Sequence, residues 1–470
     1  MHVSRPRRSA IRARALLATS LVAALAVLAS ATAPTAHTAP TGETLASASF
    51  PVERGQHHQG KVRKVKVDPR LFGVHDRFLT SLSHRSTRSI RLWDAGTDWP
   101  AIQPTRTTWN WAPLDTVVRK AHRNGTSVTL VVGLSPSYAA ARSTDAPDLG
   151  LYRAYLTAVM KRYRAQHWGY RGIAAYQVWN EANISTFWTG TNVQLARLTK
   201  AAYDVRNKVD RGAQIIAPAM VTRLKFEQKV ISAFYATRVP STHRPVWKYV
   251  DAISLNLYPT GTIPLAHGRT RTSTPEDSMV LLRTVRGLLA KRHVPSSIPI
   301  WNTEVNYGMG SGTPAAPIPQ ARQVAYVMRT YLLNAARGVK RVDWYAYDMG
   351  VMPGGGTLGN TLLTDPTERT AGRLTPAGVA FTRIQGWMRG TLIGTAVKPP
   401  CSTDRHGTYT CKITYAHGVG RVYWNPFRRA TVRLPHSART KVSEFGASSK
   451  ARGGARLTVT YRPVLVKSKR

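Results

Sequence analysis

The stretch Gly172–Gly190, GIAAYQVWNEANISTFWTG, decides the fold. Its first part, Ile173 to Trp179, is a mostly apolar, β-prone run that ends on the polar pair Asn180-Glu181, where a buried strand would emerge from a core. That puts a carboxylate at a strand's C-terminal end. A second stretch has the same design: Ile298–Gly308, IPIWNTEVNYG, is a short apolar run that carries Glu304 where it turns polar.

Outward from these two runs, strand-like and helix-like blocks alternate from Leu71 onward, the signature of successive βα units. Strands are expected at Leu71–His75, Ser89–Asp94, Ser127–Gly133, Gly172–Trp179, Gln214–Ala219, Ala252–Tyr258, Ile298–Glu304 and Val342–Tyr347. Helices are expected between and after them, for example Trp111–Asn124, where Leu114, Val117, Val118 and Ala121 share one stripe and Gly125 caps the end. Eight alternations predict an α/β chain of the (β/α)8 TIM-barrel class, in which active sites sit at the C-terminal ends of the strands. Both glutamates fall there.

The termini read differently. Met1–Ala15 carries five arginines and no acid, an apolar run at Leu16–Ser30 follows, and then come the small residues Ala31-Thr32-Ala33. This is the layout of a secretory signal, expected over residues 1–33. Residues 34–60 lack apolar periodicity and read as a disordered leader, and residues 61–390 as the barrel. Over residues 391–470 the helical period gives way to short β-prone pieces, Thr408–Tyr415, Gly420–Trp424, Ala430–Leu434 and Leu457–Tyr461, the pattern of a small antiparallel β-domain. The chain's two cysteines, Cys401 and Cys411, flank a candidate hairpin turn at Arg405-His406-Gly407. In an exported protein such a pair reads as a disulfide worth on the order of 2–3 kcal/mol, and a metal would need more ligands than His406 adds.

Paired strand-end carboxylates have a chemical meaning. Cleaving a glycosidic bond takes a proton for the leaving oxygen and electron density for the oxocarbenium-like carbon, so one carboxyl must be protonated while the other is ionised. Trp179-Asn180-Glu181-Ala182-Asn183 resembles the W-N-E-P-N acid/base motif of glycoside hydrolase clan A, and Trp301-Asn302-Thr303-Glu304 resembles that clan's strand-seven nucleophile motif. The cellulase-like and β-xylosidase-like families are the nearest in pattern, and in them a Phe-Trp pair often follows the first motif, as Phe187-Trp188 does here. Ala182 departs from the usual proline. The resemblance covers roughly Lys61–Gly390 and implies Glu181 as acid/base, Glu304 as nucleophile and retention of anomeric configuration, with the carboxyls ~5–5.5 Å apart. A C-terminal β-sandwich is common in the clan.

Further site residues follow from position. Arg91 lies among apolar neighbours on strand two and needs an anion, since an unpaired guanidinium is costly to bury; the resemblance makes Glu304 its partner, and an ion pair with Asp94 is the competing reading. Asn180 is expected to donate to the sugar 2-hydroxyl, and Tyr258 to hold the nucleophile's second oxygen. His75 at strand one and the aromatics Tyr138, Trp188, Trp344 and Tyr345 are candidate sugar contacts, each also readable as core. The Gly-rich stretch from Met349 to Gly359 lacks the Lys-Ser/Thr of a phosphate cradle and reads as a loop beside the cleft. No metal or organic cofactor is expected.

Charge adds a partner. The formal +44 falls to +39 without the five leading arginines, and from Lys412 to Arg470 there are fourteen Lys/Arg against Glu444 alone. That imbalance reads either as a solvated basic face or as a surface that holds the protein on an anionic polymer or cell surface. No specific nucleic-acid motif appears, and no apolar run after the N-terminus is long enough to span a bilayer. A carbohydrate-hydrolysing enzyme is therefore the leading reading, and a non-catalytic polyanion- or glycan-binding protein on a degenerate barrel is the alternative.

Overall fold

A computed structural model describes residues 63–84, 86–307, 318–350, 361–365, 372–395 and 398–469. The expected signal and leader segments lie outside them, as does most of the Gly-rich stretch.

The barrel strands are Phe72–Val74, Ser89–Leu92, Ser127–Val131, Ala175–Gln177, Gln214–Ile216 with Met220–Val221, Ile253–Asn256, Ile300–Val305 and Arg341–Trp344, numbered one to eight below. All neighbouring pairs are parallel, and strand eight returns to strand one, Val342 opposite Phe72. Strand five is split. Pro218 has no N–H to give the ladder, so Gln214–Ile216 pairs with strand four, Met220–Val221 pairs with strand six, and a single Ile216–Ala252 bridge lies between. The long helices include Ala112–Asn124, one residue inside its expected range, Leu149–Tyr163, Asn192–Val209, Pro275–Lys291 and Gln320–Ala336. Most strands run shorter than expected, at one end or both, and strand seven reaches one residue past Glu304.

Inside the barrel, Ala175, Ile216, Ala252 and Trp301 form an apolar cluster, closed by the Arg341 guanidinium 5.0 Å over the Trp301 ring. Gly73 is needed for packing. A Cβ there would stand 2.0 Å from the Asp343 Oδ1 atom on strand eight.

The C-terminal unit is an eight-stranded antiparallel sheet with a two-stranded ribbon, Ala430–Arg433 on Arg456–Val459, over it. Alternation divides the sheet cleanly. Cys411, Ile413, Val422, Trp424 and Leu465 join the barrel's core, whereas Tyr423 and Val466 face Leu434 and Val459 beneath the ribbon. Cys401 and Cys411 stand opposite each other in register and form a disulfide. The expected boundary at residue 61 needs correcting at its N-terminal side: Arg63–Lys66 pairs antiparallel with Thr391–Gly394 and is a strand of this sheet, not of the barrel. Its Arg-Lys-Val-Lys sequence has one apolar residue and no turn chemistry, so nothing local marks it as a strand.

A buried ion pair joins the two units. Arg329, on the helix Gln320–Ala336, donates through Nε and Nη2 to Glu276 and through Nη1 to the Tyr461 carbonyl, while the Trp424 indole donates to Glu276 Oε1 at 2.8 Å. Both side chains are essentially inaccessible. Glu276→Gln leaves that guanidinium buried without its counter-charge, so stability should fall by ~3–5 kcal/mol. A thermal melt checks this, and an unchanged Tm would show that the pair does not hold the interface.

Candidate functional site

The site grows out of a polar layer above the apolar cluster. Arg91 Nε donates to Gln177 Oε1 at 2.6 Å, Gln177 Nε2 to Ser254 Oγ at 2.5 Å, and Ser254 Oγ lies 2.6 Å from Thr303 Oγ1. Thr303 donates in turn to Asn256 Oδ1 at 2.9 Å. With its oxygen so engaged, the Asn256 amide aims its nitrogen up the barrel. That nitrogen reaches Glu181 Oε1 at 2.9 Å and Glu304 Oε2 at 3.4 Å.

Glu304 collects more donors. Arg91 Nη1 reaches Oε2 at 3.1 Å and the Tyr258 hydroxyl donates to Oε1 at 2.8 Å. Arg91 Nη2 also donates to Asn180 Oδ1 at 2.8 Å, which turns the Asn180 Nδ2 toward the open end of the barrel. The structure thus brings Glu181, Glu304, Arg91, Asn180 and Tyr258 together, and it pairs Arg91 with Glu304, not with Asp94. Glu181 itself has φ 42°, a left-handed conformation that costs a β-carbon-bearing residue free energy and needs its surroundings to hold it. Ala182, in the place of the motif's proline, donates its N–H to the Ala219 carbonyl at 3.0 Å. A proline could not make that bond.

Electrostatics separate the two carboxyls. Burial is the largest cause at each: it lifts Glu304 to about 7, with the Glu181 charge adding to the rise, and lifts Glu181 as well, against its Asn256 bond and the Arg223 and Arg91 charges. Taken singly, Glu304 stands high. Two groups this close titrate as a pair, however, and the first negative charge settles where donors to it converge. Three donors meet at Glu304 and one at Glu181. That difference in hydrogen bonding favours the negative charge at Glu304.

Some expected contacts are placed differently. The side chains of Arg91 and His75 are fully covered, and both stand behind the carboxylates, with Arg91 bonded to Glu304, Asn180 and Gln177. His75 Nε2 lies 2.9 Å from the Thr303 carbonyl and its Nδ1 3.6 Å from Asp94. Trp344 leaves the set: its ring is buried against Tyr307 and its N–H donates to the Thr361 carbonyl at 2.8 Å, so no face is open to a sugar. Tyr345, one residue on, points to the opposite face of the strand and meets His75 edge-on at 5.0 Å, partly open to the cleft. Trp188 is buried edge-on to Trp179, and Tyr138 is bonded to Trp99 and to the Gln103 carbonyl.

Sequence reasoning missed Gln177 and Asn256. Both carry a readable signal, since Ser254, Asn256 and Tyr258 alternate on one face of strand six and Gln177 is a polar residue on the inner face of strand four. Among the described residues no cluster of His, Cys, Asp and Glu is arranged to hold a metal.

No protein-family model matches the sequence, and no curated protein does. Solved structures do match the fold. A glucosidase from Croceicoccus marinus superposes with a TM-score of 0.61 at 12% identity, over 88% of this chain and 97% of its own. A family 39 glycoside hydrolase from Bacteroides cellulosilyticus WH2 gives 0.60 at 15% identity, over 85% and 81%. An α-L-arabinofuranosidase from Thermotoga maritima gives 0.56 at 10%, over 87% and 98%. At these identities the likeness is one of architecture: this chain has the (β/α)8 barrel and C-terminal β-domain of solved glycoside hydrolases.

Proposed function

We propose that the protein is an exported glycosidase that hydrolyses O-glycosidic β-linkages of an oligo- or polysaccharide with retention of configuration. The observation that carries this reading is the Asn256 nitrogen shared by Glu181 and Glu304. One nitrogen in reach of both draws an oxygen of each carboxyl toward the same point, an arrangement that suits the close pair of a retaining enzyme better than a pair held apart for a water. The difference in donors supplies the two protonation states. Glu181 protonates the leaving oxygen while the Glu304 carboxylate attacks the anomeric carbon, and a glycosyl ester forms with Glu304 as the bond to the leaving group breaks. Glu181, now ionised, takes a proton from the water that hydrolyses the ester, and both groups return to their starting states. Asn180 Nδ2 is free to donate to the sugar 2-hydroxyl, and Tyr258 and Arg91 keep the nucleophile's oxygens in line. Export is supported by the arginine-rich, then apolar, leading segment.

A panel of aryl β-glycosides with proton NMR of the first-formed sugar tests the reading. Release of the β-anomer is expected. A first product of α-configuration would overturn retention, and no turnover across the panel would favour the non-catalytic binding protein.

The basic C-terminal unit suits an anionic polymer or cell-surface material as partner. Ribbon register sets Arg433 opposite Arg456, both exposed, where like charges repel and nothing in the fold gains. Retention on anionic wall material should weaken steeply with added salt, because such contacts are screened within a Debye length of ~8 Å at physiological ionic strength. Neutralising Arg428, Arg429 and Arg433 should weaken it too, with little change for a small neutral aryl glycoside. Retention indifferent to both would leave only a solvated face.

A further inference from the structure

Beside the acid/base carboxyl stands a cation that the mechanism does not use. The loop carrying Glu181 is laced to strand five: Ala182 bonds to Ala219, and Asn183 bonds both backbone groups of Val221, accepting at 2.9 Å and donating at 2.8 Å. Two residues beyond Val221 the chain reaches Arg223, whose charge acts on Glu181. Its side chain is 17% exposed, and its nearest carboxylate oxygen, Glu227 Oε1, lies 3.7 Å from Nε, beyond hydrogen-bond range. Glu227 is engaged elsewhere, with Oε2 accepting from the Leu224 N–H at 2.8 Å to cap the next helix. Nε is buried with no hydrogen-bond partner, and among the described residues no hydrogen bond from either Nη is found. Arg223 thus pairs with Glu227 through its Nε side, and its four Nη donors remain for the outward side.

The same loop spends its apolar residues on solvent. Leu224 is 42% exposed and Phe226 54%. Both stand within three residues of Arg223, at the start of the helix Lys225–Ala236, and an apolar surface near a cation suits a sugar with an apolar face and a charged substituent. Location identifies which sugar. A general acid protonates the leaving-group oxygen, so a residue flanking Glu181 on the strand-five side faces the leaving group.

We propose that Arg223, with Leu224 and Phe226, forms a leaving-group subsite for a sugar bearing an anionic substituent, a carboxylate or a sulfate ester. The inference rests on the glycosidase reading above and adds to it the class of substrate. The anion takes the outward edge of the guanidinium, and the sugar's apolar face lies toward Phe226. The acid's proton is delivered as before.

The test uses the full chain and aryl β-glycosides of whichever sugar the panel shows to be turned over. Three leaving groups are compared: 4-carboxyphenyl, 4-(sulfooxy)phenyl, which carries a sulfate ester, and the uncharged 4-carbamoylphenyl. For each charged substrate, the ratio of its kcat/KM to that of the uncharged one is measured in the wild type and in Arg223→Leu, which cancels intrinsic leaving-group reactivity. The ratio should fall by about tenfold or more in the variant for at least one anion, and the larger fall identifies carboxylate or sulfate as the preferred group. Arg223→Lys should recover part of it, since a point charge replaces a bidentate fork. Turnover with ratios equal in wild type and variant overturns the subsite while leaving the glycosidase intact. Absence of turnover with every leaving group overturns the glycosidase reading and the subsite with it.

Discussion

Glu304→Ala stops turnover of a β-glycoside, a loss on the order of 10⁴-fold or more, and azide restores it with a product of inverted, α-configuration. The expectation follows from what surrounds the carboxylate. Arg91 and Tyr258 converge on Glu304 from two sides, so removing the side chain leaves a small cavity lined by donors that still await an anion. Azide fits there, attacks the anomeric carbon from the face that Glu304 used, and forms a bond that no second displacement cleaves. Because Glu181 remains to protonate the leaving oxygen, the rescued reaction keeps its sensitivity to leaving group. The product's configuration is read by NMR. A β-glycosyl azide from this variant would move the nucleophile's role elsewhere.

Glu181→Ala has the second large effect, and it is selective. A sugar leaving group needs the proton that Glu181 supplies, so its hydrolysis should slow by ~10²–10⁴-fold; a dinitrophenyl leaving group departs as a stable anion and should suffer far less in the first step. The pH profile changes with it. On the proposed roles, wild-type activity should fall at low pH as Glu304 gains its proton and at high pH as Glu181 loses its own, and burial, which raises both, should move the profile above the ordinary carboxylate range. Without Glu181 the high-pH limb should vanish while the low-pH limb stays. Equal loss on both classes of substrate, or a surviving high-pH limb, would count against Glu181 as the acid.

How much of this was legible in the sequence depends on the period of each element. The barrel strands stood out because apolar runs of five to eight residues alternate with helical stripes, and Glu181 and Glu304 stood out because each ends such a run. Residues behind the carboxylates were harder. Asn256 and Gln177 differ from ordinary polar residues only in facing inward, and parity along a short strand shows that once a reference such as Tyr258 is known to face the site. The same parity explains the miss at Trp344: adjacent strand residues point to opposite faces, so Trp344 and Tyr345 could not both line one cleft, and the structure gives the cleft to Tyr345. In the C-terminal unit Ala438–Val442 and Ser448–Lys450 carry few apolar residues. They are strands because a neighbouring edge offers hydrogen bonds, not because their own composition favours one.

The strand Arg63–Lys66 has a consequence for how the protein reaches its final form. It is made before the barrel, yet its partner, Thr391–Gly394, is made after it. A chain emerging N-terminus first must therefore carry this segment unpaired through the synthesis of all eight βα units, and its hydrogen bonds, which must wait for Thr391–Gly394, tie the start of the described chain to its final quarter. The C-terminal unit is then less an appended module than a clasp closed around a finished barrel. A chain ended at Gly390 would lack the partner strand and the Trp424 and Tyr461 groups that meet Glu276 and Arg329, so such a chain should survive poorly against proteases even though every residue of the cleft is present.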